Sequence, residues 1–323
     1  MIPRRFTYVV LALAAFACAR PAAAEPCGPG SGRTCGCGDI VVANTVLDAD
    51  IGVCDETALR VASGVTLDCA GHTITGSDLS NAKFGIQLDG VEGATVKNCR
   101  VTKFRRGLRI NGGKNNVLLK NKSWENKYGI DVADTTGNLI KGNGVHANRD
   151  EGVHLGEAHD NRIIGNRIAR NKRENLYLLR SHGNDVERNL MHHGGHSAIY
   201  IKHSSDNHFF HNTARDTAVQ LRGDAHGNTF DTNYLKGDGY LLEAYEEPAP
   251  TGWTFPHDNT MTNDCIRKTD FCYRFVGAFD NAATAARTDG RCDPPMTETS
   301  EGGRDATGNS VELAPQGCNV DPF

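Results

Sequence analysis

The chain repeats itself from about Gly85 to Glu243 with a period close to 22 residues. The clearest copy reads Asn138-x-Ile140-x-x-Asn143-x-Val145-x-x-Asn148, then Gly152-Val153-His154-Leu155. The next reads Asn161-x-Ile163-x-x-Asn166-x-Ile168-x-x-Asn171, then Asn175-Leu176-Tyr177-Leu178. A unit of this length cannot bury its own apolar face, so successive copies must stack into a solenoid.

The last tetrad of each copy alternates apolar and variable residues, which puts the apolar ones on one face of a β-strand. The tetrads are Ala58-Leu59-Arg60-Val61, Gly85-Ile86-Gln87-Leu88, Gly107-Leu108-Arg109-Ile110 and Gly129-Ile130-Asp131-Val132. They continue as Gly152-Val153-His154-Leu155, Asn175-Leu176-Tyr177-Leu178, Ala198-Ile199-Tyr200-Ile201 and Ala218-Val219-Gln220-Leu221. From Gly85 they are spaced 22, 22, 23, 23, 23 and 20 residues apart, and looser copies lie near Tyr240–Glu243 and Tyr273–Val276. The intervening Asn-x-apolar-x-x-Asn segments supply two more short strands per coil. One whole coil then serves as the long crossover that parallel pairing requires. The copies lack helical periodicity and a leucine signature, which excludes helical and leucine-rich solenoids. Thirty-six glycines and only 7% aromatics suit a turn-rich all-β chain. The fold expected is a parallel β-helix of about nine to ten coils.

Two rows of asparagine recur once per coil. One is Asn98, Asn121, Asn143, Asn166, Asn189, Asn212 and Asn233; the other is Asn116, Asn138, Asn161, Asn184, Asn207 and Asn228. Asparagine tolerates a left-handed corner, and its amide can bond local backbone or the asparagine of the next coil. Both rows read as structural.

The ends differ from the middle. Met1–Arg5 is short and basic, Phe6–Ala19 is mostly apolar, and Pro21-Ala22-Ala23-Ala24 offers small residues for cleavage. Residues 1–24 therefore read as a signal peptide, too short in its apolar part to span a bilayer. Ten cysteines follow it, at 27, 35, 37, 54, 69, 99, 265, 272, 292 and 318. An even number in an exported chain reads as disulfides, and Cys69 and Cys99 fall at similar points of successive coils. The organisation expected is a cysteine-rich cap over 25–57, the β-helix over 58–280 and an irregular cap over 281–323. The location expected is the periplasm or the outside of the cell.

The net charge of −4 becomes about −7 once Arg4, Arg5 and Arg20 are removed, which argues against nucleic acid as a partner. No membrane association is expected after cleavage. Charge is uneven, however: Lys97–Lys127 holds ten Lys or Arg and the single acid Glu125. The stretch 237–258 is acidic through Asp238, Glu243, Glu246, Glu247 and Asp258, and it forms a turn longer than its equivalents.

Gly-Ile-x-Leu followed by Asn-x-Ile-x-x-Asn-x-Ile-x-x-Asn resembles the repeat of right-handed parallel β-helix proteins, the NosD-like and pectin-lyase-like members most of all. Val65-Thr66-Leu67-Asp68-Cys69-Ala70-Gly71-His72-Thr73-Ile74 is similar to their first coil. The resemblance covers about residues 40–280 and implies a right-handed solenoid. For activity it implies several options, since such proteins include polysaccharide lyases, hydrolases, epimerases, tail-spike adhesins and scaffolds.

The outward residue of each tetrad forms one row: Arg60, Gln87, Arg109, Asp131, His154, Tyr177, Tyr200 and Gln220. Neighbours in such a row are about 4.8 Å apart. The next outward row reads Asp89, Asn111, Ala133, Gly156, Leu179, Lys202 and Arg222, and its small residues leave a groove over Asp131 and His154. These residue types suit lyase or epimerase chemistry on an acidic, uronate polysaccharide. That chemistry removes the proton α to a carboxylate, so it needs a cation, a base and an acid. Arg109 is the candidate cation, His154 the base, Tyr177 or Tyr200 the acid, and Asp131 the group that orients His154. Lys202, Arg222, Glu243 and Trp253 are the candidate substrate-binding residues, the last two on the long turn. Tyr128-Gly129-Ile130-Asp131 is similar to the Tyr-Gly-Phe-Asp-Pro-His motif of alginate epimerases, with Val132-Ala133 in place of Pro-His. A hydrolase would need two carboxylates, for which Asp131 with Glu157 or Asp134 are the candidates.

Histidines 192, 193, 196, 203, 208 and 211 crowd two coils but fall on different turns without tight ligand spacing. No metal site and no cofactor is assigned, and a divalent metal such as calcium or copper is the one the pattern leaves open. The alternatives to an enzyme are a glycan-binding or surface scaffold and a NosD-like periplasmic metal-site maturation protein.

Overall fold

The computed structural model describes residues 24–81, 83–248, 252–267, 271–288, 296–301, 303 and 305–314. The expected signal peptide lies almost wholly outside these residues, as do Cys292 and Cys318. Among the described residues there are no helices, and none therefore long and apolar enough to cross a membrane.

Three parallel sheets run the length of the molecule, each coil giving one short strand to each. In the first sheet Leu108, Ile130, Val153, Leu176, Ile199 and Val219 stand in register on successive strands, and each is at most 2% exposed. Fully burying one such side chain contributes about 1.5–3 kcal/mol. No coil could gather that burial alone, so stacking and folding are one event. The first sheet has thirteen strands among the described residues, more than the nine to ten coils expected. The additional strands come from both ends. Pro26–Cys27 and Asp39–Val41 lead the sheet, and Met296–Thr299 extends it, although none carries the repeat sequence.

The asparagine rows are hydrogen-bonded ladders. Asn143 Oδ1 accepts from the backbone N (2.9 Å) and Nδ2 (3.1 Å) of Asn121, while Asn143 Nδ2 donates to Leu118 O (2.9 Å) and Asn166 Oδ1 (3.0 Å). The side-chain amides inside the ladder are thereby satisfied. Two details differ from the sequence reading. The left-handed corner is the residue before each ladder asparagine, such as Lys120 (φ 54°), Gly142 (φ 65°) and Arg188 (φ 52°). Asn98 is itself such a corner (φ 55°), and Cys99 takes the place below Asn121, donating its backbone N to Asn121 Oδ1 (2.9 Å). There the ladder ends and the Cys69–Cys99 disulfide replaces it. Cys27–Cys35 and Cys37–Cys54 tie the preceding residues together, and Cys265 and Cys272 are also disulfide-bonded. Such bonds persist in oxidising compartments.

Gly129 and Gly152 lie at the starts of two first-sheet strands, where the chain passes close to its own next coil. A Cβ on Gly129 would lie 2.3 Å from Val145 and 2.5 Å from the carbonyl of Gly152. Only glycine fits there.

Candidate functional site

The first-sheet register brings the predicted row together: Arg109, Asp131, His154, Tyr177, Tyr200 and Gln220 are direct cross-strand neighbours. Its centre is Asp131, 2% exposed. One carboxylate oxygen receives Arg109 and, at 2.5 Å, Arg106 Nε. The other lies 2.9 Å from His154 Nδ1. Burial alone would raise this carboxyl, but the His154 hydrogen bond and the Arg106 and Arg109 charges outweigh it and hold Asp131 below the usual carboxylate range. An ionised carboxylate can only accept, so His154 carries its proton on Nδ1 and presents Nε2 as a free lone pair. The ring leans over Gly156, where a Cβ would stand 3.2 Å from Cε1 and 3.6 Å from Nε2.

Tyr177 packs on His154 with ring centroids 5.3 Å apart, and Tyr200 on Tyr177 at 5.0 Å. Burial pushes both phenols above their ordinary value; Tyr200 and Glu174 add to the shift at Tyr177, while Arg222 partly offsets it at Tyr200. Both therefore keep their protons at neutral pH. Arg109 is not free, because Asp131 and Asn111 (2.6 Å) hold its guanidinium. Two arginines share one carboxylate, however, which leaves positive charge beside His154.

A second row runs alongside: Arg106, Tyr128, Glu151, Glu174 and Ser197, of which the sequence pattern singles out Tyr128 alone. Each sits just before the glycine, asparagine or alanine that opens its tetrad. Glu151 and Glu174 are 3% and 4% exposed and share Arg173 (3.4 and 3.6 Å). Burial, with Asp150, raises the Glu151 carboxyl, and its own backbone amide and His154 offset this only in part. The proposed carboxylate partners of Asp131 fare differently. Asp134 and Glu157 are exposed corner residues (φ 51° and 52°), and Glu157 faces Arg180 at 3.9 Å.

The long turn folds as a hairpin, Tyr245–Glu247 against Gly252–Thr254. Tyr245 reaches back over the basic end of the groove, with Lys202 Nζ 3.4 Å and Arg222 5.3 Å from its ring centre. Arg222 is also tied to Glu243 (2.9 Å), which receives Gln220 Nε2 at 3.2 Å. Trp253 pairs across the hairpin with Glu246, and Tyr245 is the hairpin aromatic that meets Lys202 and Arg222. Of the crowded histidines the neighbours His192 and His193 touch, while His196 meets Glu174 at 3.3 Å, His203 meets Glu247, and His208 stacks on Phe210. Among the described residues a different group gathers three ligand atoms within 4.8 Å: Asp224, His226 and His257. The sequence hides it, because the hairpin separates His226 from its neighbour in the next coil.

Fold and row together define a parallel β-helix protein with a polar, partly buried side-chain row along one sheet. Solved structures of this fold resemble it at low identity. The Dettilon tailspike protein matches with a TM-score of 0.51 and 12% identity, over 86% of this chain and 57% of that one. A variant of the periplasmic alginate epimerase AlgG gives 0.46 and 11%, over 85% and 70%. The mannuronan C-5 epimerase AlgE4 A-module of Azotobacter vinelandii gives 0.45 and 11%, over 89% and 91%. These likenesses concern the fold alone. No curated protein matches the chain. The chain belongs to the NosD family, described as periplasmic copper-binding protein, whose model matches residues 69–263.

Proposed function

We propose that this protein is an exported enzyme that cleaves or epimerises an acidic, uronate polysaccharide on the Arg109–Tyr200 row. The observation that carries the reading is the Asp131–His154 contact, 2.9 Å at Nδ1, which leaves Nε2 facing the groove as a base. His154 takes the proton α to the uronate carboxylate, and the surplus charge of Arg106 and Arg109 stabilises the resulting enolate-like anion. In the lyase reaction the electron pair forms a double bond, the glycosidic C–O bond breaks, and Tyr177 gives its phenolic proton to the leaving oxygen. In the epimerase reaction Tyr177 or Tyr200 returns a proton to the same carbon from the opposite face. Gly156 and Ala133 keep the groove open, and Tyr245 closes one end. The test is incubation of the purified protein with a panel of uronate polysaccharides, reading unsaturated ends by ultraviolet absorbance and configuration by proton NMR. Product formation that disappears in His154→Ala supports the reading. Saturable glycan binding without any product supports a scaffold instead.

One observation favours a second reading, metal binding, in line with the family's description. Asp224 Oδ1 lies 3.0 Å from His226 Nδ1 and 3.3 Å from His257 Nε2, close to the ligand separations around a small first-row ion. His257 is oriented by Asp258 on its other nitrogen (2.7 Å), as metal-bound imidazoles commonly are. Two imidazoles and one carboxylate suit copper or zinc; calcium prefers six to eight oxygens. Such an ion would sit away from the Arg109–Tyr200 row and takes no part in the steps above. Elemental analysis after growth with copper or zinc should give one ion per chain, lost in His257→Ala. No ion in the unaltered protein refutes this reading.

A further inference from the structure

Away from the row, on the sheet that holds the strands Leu190–His192, Thr213–Arg215 and Tyr234–Lys236, there is a cleft of about 370 Å³. Arg167, Arg170, Arg215 and Lys236 line it together with His192 and His193. Asp216 is the lone carboxylate of the lining and faces His193 Nδ1 at 3.3 Å. The register explains the convergence: His192, Arg215 and Lys236 occupy one position on three successive strands, about 4.8 Å apart per step. The parallel solenoid thus stacks basic side chains that a surface would ordinarily disperse.

His192 supplies the second observation. It is 7% exposed, and its Nε2 is buried with no hydrogen-bond partner. Its Nδ1 lies 2.7 Å from His193 Nδ1. The simplest arrangement puts a proton on His193 Nδ1, between two acceptors, Asp216 and His192 Nδ1. That leaves the His192 proton on Nε2, a buried donor with nothing to receive it. Burial, then Arg167 and His193, push this imidazole below its ordinary range, in keeping with a neutral donor. Buried unsatisfied donors are rare, and a missing acceptor is a common reason for one.

We propose that this cleft binds a tetrahedral oxyanion, a sulfate or phosphate group. Arg167, Arg170 and Lys236 with one imidazole N–H around one space suit a tetrahedral oxyanion, whose oxygens point in four directions, better than a planar carboxylate. The cleft has room beyond a bare ion, so the group can be free or carried on a sugar. The site stands independently of the uronate chemistry.

The test is calorimetric titration of the whole protein with three probes: sodium phosphate, sodium sulfate and N-acetylglucosamine 6-sulfate. Saturable binding of at least one is expected, weakened tenfold or more in Lys236→Gln and in Arg170→Gln. Histidine-selective NMR should show the His192 signal moving with saturation. Equal affinity for free and sugar-borne sulfate identifies an ion pocket, and tighter sugar sulfate a saccharide site; either supports the proposal. No saturable binding of any probe overturns it, as does affinity unchanged in both variants. Retention of the unaltered melting temperature in these surface variants separates lost binding from lost fold. Uronate turnover should be the same in both, so failure here and failure of the proposed activity are distinguishable.

Discussion

Asp264→Asn should stabilise the protein at neutral pH, although it replaces a fully buried residue that makes good hydrogen bonds. Asp264 ends the ladder Asn121, Asn143, Asn166, Asn189, Asn212, Asn233, where every other buried member is a neutral amide. It accepts from Asn233 N at 2.6 Å and from the Tyr240 hydroxyl at 2.5 Å. These bonds do not compensate for burial, which pushes the carboxyl from 3.8 up to about 7. The folded state therefore binds a proton more tightly than the unfolded chain. Stability is unaffected by this group below about pH 3.8, falls as the pH rises, and stays low above about 7. At about 1.4 kcal/mol per unit the limiting cost is about 4 kcal/mol. An asparagine keeps the acceptor for Asn233 and removes the charge. Urea denaturation of both proteins between pH 4 and 8 should give curves that meet at the acid end. They should separate by about 2–4 kcal/mol at the neutral end, with the variant the more stable. A variant less stable at pH 7, or a gap that does not change with pH, would refute the reasoning.

Asp131→Asn carries the opposite sign. Removing the buried partner of Arg106 and Arg109 should cost about 3 kcal/mol at neutral pH. Because Asp131 is held below its ordinary value, that cost should fade as the pH drops below 3.8 through the folded value, which the same denaturation series checks. Gly156→Val should push the His154 ring out of place; we expect uronate turnover at least tenfold lower with a melting temperature within a few degrees of the original. Loss of the Cys69–Cys99 bond in a Cys69→Ala, Cys99→Ala protein should cost about 3.5 kcal/mol by loop closure, measured by urea titration against the oxidised parent.

The architecture was legible because a strand's side chains alternate with period two and a stacked coil must repeat its corner. Ile130, Val153 and Leu176 could be assigned to the core, and Asp131, His154 and Tyr177 to one outward row, from spacing alone. Asn98 was misplaced by one residue, since the left-handed corner and the ladder position are adjacent and both accept asparagine. The strands at 26–27 and 296–299 carry no repeat, because pairing with a formed sheet needs only backbone. Glu151 and Glu174 escape the pattern because they stand before the tetrads, outside the alternation that assigns the outward row. That Arg109 is bound to Asp131 was likewise not readable: side chains in a row either face the groove or face one another, and the choice rests on charge. Asp224, His226 and His257 meet only once the Tyr245–Thr254 hairpin is folded out of the count.

The most direct test of the central claim is uronate product formed by the unaltered protein and by Arg109→Ala, Asp131→Asn and His154→Ala combined. The account predicts unsaturated ends or inverted uronate residues from the unaltered protein and none from the triple variant, with the β-sheet circular dichroism spectrum retained. Full activity in the triple variant would contradict it, and so would the absence of product from the unaltered protein across the whole panel.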